Sequence, residues 1–138
     1  MSVRKSERGI SSIEFLKVLL DIEKWVLYKT ESCPKKYRFI VNSQLLTHAA
    51  EAYSNAKMGN SIRVYNHDQK KLRENYFTKS YIHVQAFVSQ IDAIYSVCKS
   101  NFMTNNELEQ ISKLGIEAMK LLTGVMKSDR QRYKDITS

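Results

Sequence analysis

Lys35, Lys36 and Arg38 crowd one short stretch, SCPKKYRF (residues 32–39), in which the chain's only proline precedes what reads as a helix start. Cations in a first helical turn oppose the macrodipole, at about 0.3–1 kcal/mol each when exposed. Together with the free N–H groups of a helix start they also make an anion site. Either these charges are simply solvated or an anion comes to them. The other residues with chemical potential are three histidines and two cysteines. His48-x-x-Glu51 reverses the Glu-x-x-His order of dimetal bundles and has no second copy, so neither a metal nor another cofactor is expected. His48 reads as a helix-surface residue, His83 as a satisfied core or interface histidine, and His67 as lying near a helix N-terminus. Cys33 and Cys98 form no disulfide framework or metal motif, which makes a reducing, cytoplasmic location the default. They also lack the pattern of a His-assisted nucleophile. No Gly-rich phosphate loop is present, and Glu107 and Glu109 suit a helix N-terminus. The chain is not expected to be an enzyme.

The elements that position these residues read as helices. A chain of 138 residues is one domain, long enough for a core without disulfides or metal. Its four glycines and single proline are too few for a turn-rich β fold. Ser11 and Glu14 have capping-box spacing ahead of FLKVLLDIEKWVLY, and helix one then runs to about Cys33, before Pro34. Helix two is expected from about Lys36 to Met58, with Gly59 and Asn60 as stop signals. Helix three is expected from Asp68 to about Ser100. Thr104 and Glu107 form a second capping box, opening helix four along Leu108, Ile111, Leu114, Ala118, Leu121, Leu122 and Val125. Residues 1–10 are expected to be a basic arm and 128–138 a frayed basic tail. The N-terminal stretch lacks the apolar centre of a signal peptide, and no apolar run approaches the ~18 residues of a membrane span. Short connections between long helices predict an all-α, up-and-down four-helix bundle.

Helix one has two apolar sides. Ile13, Leu16, Leu20 and Leu27 share one, while Phe15, Val18, Leu19, Ile22, Trp25 and Val26 share the adjoining one. The combined arc, about 220°, exceeds the ~100° stripe that one core needs. A second subunit is the expected cover for the excess, with Phe15, Leu19, Ile22 and Val26 as the interface of a homo-oligomer; the alternative is a thickly covered central helix.

The net charge of +8 is unevenly distributed. In an up-and-down bundle, one end collects Arg4, Lys5, Arg8, Lys57, Arg63, Lys70, Lys71, Arg73, Lys127, Arg130, Arg132 and Lys134. Only Glu7, Asp68, Glu74, Asp129 and Asp135 oppose them. The other end carries Lys29, Lys35, Lys36, Arg38 and Lys99, offset by Glu31, Glu107 and Glu109. Such a field draws polyanions, RNA or DNA foremost, and Tyr65, Tyr76, Phe77 and Tyr133 stand among the charges as candidate stacking platforms. The alternative is a scaffold whose basic surface takes an acidic protein and no nucleic acid. A small-molecule-binding or metal-dependent bundle is a more distant third.

With CPKKYRF opening helix two and MTNNELEQISKLGIEAMKLLTGVMKSDRQR closing the chain, the sequence resembles the accessory variability determinant (Avd) proteins of bacterial diversity-generating retroelements. Related four-helix proteins are encoded in insertions of some bacterial ribosomal RNA genes. The resemblance spans about residues 12–132 and departs from the family at the long NSIRVYNHDQKK connector and the N-terminal arm. It implies a homopentameric barrel that binds nucleic acid and a reverse transcriptase and assists mutagenic retrohoming without catalysing it. It also implies contacts through Lys35, Lys36 and Arg38 and, less closely, through Lys127, Arg130 and Arg132.

Overall fold

Long stretches free of proline, with apolar residues at helical spacing, fold as four helical rods. The computed structural model describes the backbone of residues 5–98 and 102–137, and the side chains of all of these except 5–13, 40 and 41. The first rod is α1 (Lys5–Ser32). The second comprises α2 (Lys35–Ile40), a π-helical stretch (Val41–Leu46) and α3 (Thr47–Ser61). The third and fourth are α4 (His67–Cys98) and α5 (Asn105–Arg132). The described residues contain no strand.

Several helix boundaries follow local chemistry. Pro34 separates the first two rods because the residue before proline avoids the α region. The capping box before α5 forms as its sequence predicts: Glu107 N–H donates to Thr104 Oγ1 (3.1 Å), and Thr104 N–H donates to Glu107 Oε1 (3.1 Å). The expected box at Ser11 does not open α1, which already begins at Lys5. Lys5, Ser6, Glu7 and Arg8 tolerate a helix, and Gly9 costs a formed helix only about 1 kcal/mol relative to Ala. The second rod likewise passes Gly59 and Asn60 and ends at Ser61.

The rods pack in a ring, α1 against α3 and α5, and α4 against the same two helices. Neighbours run antiparallel. Lys29, near the end of α1, pairs with Glu107 at the start of α5, while Arg73, near the start of α4, pairs with Asp129 near the end of α5. Ser80 Oγ donates to the Ala52 carbonyl (2.6 Å), fixing α4 against α3. Ala49, Ala52 and Ala56 let α4 approach that rod closely. A Cβ at Gly115 would lie 2.4 Å from Val88 Cγ2, so the glycine sets the close approach of α5 to α4.

Phe15, Leu19, Ile22 and Val26 of α1 meet Leu45, Phe77, Val84, Phe87, Ile91, Ile111 and Leu122 in one core. Phe15 and Phe77 form an edge-to-face pair with centroids 5.7 Å apart, near an attractive optimum. At the far end Trp25 and Phe102 form an edge-to-face pair, and Cys33, Cys98 and Met103 are buried.

This core corrects the assignment of the oligomer interface. Phe15, Leu19, Ile22 and Val26 are all buried within a single chain and leave no surface for a second copy. Periodicity located two adjoining apolar stripes on α1, but the partners on α3–α5 cover the one expected to face outward. Leu16 and Leu20 lie at its half-buried edge, and Leu27 is 50% exposed. The first part of the expected tail, 128–138, belongs to α5, and the rest leaves the helix. α5 stays helical to Arg132, Asp129 is held by Arg73, and Lys70 Nζ donates to the Ile136 carbonyl (3.1 Å).

Candidate nucleic-acid interface

The predicted binding residues fall into two groups at opposite ends of the rods. Lys35 and Arg38 are separated from Lys57 by roughly 30 Å of helix at 1.5 Å per residue. Arg4 and Lys99 lie outside the described residues, as do the side chains of Lys5 and Arg8.

At the first end, the turn after Pro34 displays Lys35, Lys36 and Arg38 to solvent. Lys36 Nζ lies 4.8 Å from the centre of the Tyr37 ring, a cation–π distance. Arg38 Nη2 donates to the Cys33 carbonyl at 3.4 Å, tying the guanidinium to the end of the preceding turn. Phe39 is 79% exposed beside these cations. Its sequence signal was present in KKYRF, but only the fold shows that the ring faces water. Lys29 does not join the patch, because it is buried against the Glu107 carboxylate. The hydrogen bond from Lys29, then that from Thr104 N–H, holds Glu107 below the usual carboxylate range.

The second end gathers the α3–α4 connection, the start of α4 and the end of α5. Lys57, Arg63, Lys71, Lys127, Arg130 and Arg132 are exposed there, with Lys57 near the Tyr53 ring (5.7 Å) and Arg132 near that of Tyr133 (5.8 Å). Tyr65 is exposed, Tyr76 and Tyr133 are half-buried, and Lys70 is half-buried with its ammonium on the Ile136 carbonyl.

Two expected site residues are removed by the structure. Arg73 is buried: its Nε and Nη2 donate to the Asp129 carboxylate at 2.6 and 3.2 Å, and Nη1 donates to the Gly59 and Ile62 carbonyls at 3.2 and 3.4 Å. Its guanidinium also covers the Phe77 ring at 4.8 Å. Every strong partner is therefore internal, and no phosphate can reach it. Phe77 is buried between Arg73 and Phe15 and cannot stack on a base.

The remaining chemistry is sparse. Burial pushes the Cys98 thiol up, and burial followed by the nearby Cys98 does the same for Cys33, which disfavours the nucleophilic thiolate. Among the described residues no group of three or more His, Cys, Asp or Glu converges as a metal cage, and no helix is long and apolar enough to cross a membrane. One contact was invisible in the sequence: His48 of α3 and His83 of α4 meet with Nδ1 atoms 3.1 Å apart. No short motif links positions 35 residues apart.

The chain matches no family model, no curated protein and no solved structure.

Proposed function

We propose that the chain is an up-and-down four-helix bundle that binds RNA or DNA without catalysing a reaction. Its role is the one implied by the Avd resemblance, an accessory to a reverse transcriptase in mutagenic retrohoming, acting as a homo-oligomer, as a pentamer in that family. The observation that carries the binding reading is the set of solvent-facing cations. Lys35, Lys36, Arg38, Lys57, Arg63, Lys71, Lys127, Arg130 and Arg132 are exposed, and none is in an ion pair among the described residues. Cations left unpaired can release the counterions of a phosphate backbone, which is the main source of nonspecific affinity. A second copy would meet α1 along Leu16, Leu20 and Leu27.

The test compares wild type with two triple variants, Lys35→Gln/Lys36→Gln/Arg38→Gln and Lys127→Gln/Arg130→Gln/Arg132→Gln. Fluorescence anisotropy with single-stranded RNA and DNA across a salt series should show weaker binding in at least one variant. If all three cations contact phosphates, the slope of log K against log salt should fall by about 2–3. Equal affinity of all three proteins at low salt, with equal helicity by circular dichroism, would sink the assignment. Retained binding of an acidic protein that RNA cannot displace would favour the scaffold reading instead. Native mass spectrometry settles the assembly: a subunit of 16.1 kDa gives about 80 kDa for five copies, and a monomer would rule out the ring.

A further inference from the structure

The His48–His83 contact takes no part in the nucleic-acid reading, yet it brings two metal-ligating side chains from different helices within hydrogen-bond distance. The rings are half-buried in the α3–α4 seam, with centroids 5.3 Å apart and planes inclined by 40°. The Ser80–Ala52 hydrogen bond nearby and the small Ala49 and Ala52 hold the two helices in register. Without an ion, one Nδ1–H must donate to the other Nδ1, because two bare lone pairs at 3.1 Å would repel.

We propose that His48 and His83 form a bidentate site for a borderline divalent transition ion, zinc, nickel or copper(II), that stitches α3 to α4. Imidazole nitrogens suit these ions. Two such donors at 2.0–2.1 Å from one ion, at angles between square and tetrahedral, stand about 2.9–3.4 Å apart. The observed 3.1 Å lies within that bite. The rings meet nearly head to head, so each must pivot by about 40° to aim its lone pair at an ion beside the contact. Both histidines are partly exposed, so solvent reaches the pair. Burial, and then the proximity of His83, lowers the pKa of His48. No third His, Cys, Asp or Glu joins the pair among the described residues, so water or an external donor completes the coordination. Glu51, one turn beyond His48, is exposed and its Oε2 accepts a hydrogen bond from Asn55 Nδ2 (3.2 Å).

Tag-free protein stripped with a chelator would be titrated with zinc chloride by calorimetry and followed by thermal unfolding. One ion per chain is expected, with a dissociation constant in the micromolar range and a Tm that rises with zinc concentration. His48→Gln and His83→Gln should each weaken binding by about tenfold or more, while Cys33→Ser and Cys98→Ser leave it unchanged. The proposal is overturned if millimolar zinc neither binds nor raises Tm, if both histidine variants bind like wild type, or if a cysteine variant abolishes binding. Should either glutamine variant lose helicity, ¹⁵N-histidine spectra of wild type decide. Zinc must move the Nδ1 resonances of two imidazoles and leave the third, His67, in place; any other pattern rejects the site.

Discussion

Asp129→Ala is expected to lower the unfolding free energy by about 3–5 kcal/mol, read as a fall in the urea midpoint, because it strands a buried guanidinium. The side chains of Arg73 and Asp129 retain only 10% and 14% of their exposure, so solvent screens their pairing little. Arg73 also closes the Gly59 and Ile62 carbonyls at the end of the second rod and covers Phe77. It therefore joins three rods at one end of the molecule. Arg73→Met should be of similar severity, since it leaves a buried carboxylate without a cation. Arg73→Lys should rescue only part of the loss, because an ammonium cannot reproduce the fork on both carboxylate oxygens. The double variant Arg73→Met/Asp129→Ala should be less destabilised than the sum of the single variants, as a partnerless charge no longer remains. If Asp129→Ala proves neutral in urea, the clamp does not hold this end together.

The second large effect falls on α1. Val26→Glu and Leu19→Glu each place a carboxylate where the native side chain is essentially inaccessible. Loss of core packing adds to the cost of an unpaired buried charge, several kcal/mol together and a large part of what a domain of this size can lose. Both variants should lose helical circular dichroism near room temperature or accumulate as aggregates. Leu27→Glu, at a half-exposed position one residue away, should keep its helicity. If α1 also packs on a second copy, the mass of Leu27→Glu should fall to that of a smaller assembly by native mass spectrometry. A folded, dissociated Val26→Glu subunit would instead return the interface to the side of α1 buried here.

Much of this architecture was legible locally. The Thr104–Glu107 capping box could be read directly because its partners are three residues apart and close as soon as the helix starts. Ile111, Ala118 and Leu122 follow the 3.6-residue period of α5, while Lys113, Glu117, Lys120 and Lys127 stay on its exposed back. The basic turn after Pro34 was equally plain, because the proline isolates it and each cation reaches water without needing a distant partner.

Beyond that, the sequence by itself determined that the chain is helical, where its main breaks lie and which residues are candidates for a basic surface, since propensity, periodicity and net charge are properties of neighbouring residues. The tertiary structure decided which of two apolar stripes on α1 is core. It also converted Arg73 from a candidate phosphate contact into a clamp on Asp129, 56 residues away, and brought His48 to His83. Those outcomes depend on the register in which antiparallel helices pack. Register is set by the summed fit of many side chains, here Ala49, Ala52, Ser80 and Gly115 among them, and no single stretch of sequence contains both halves of that fit.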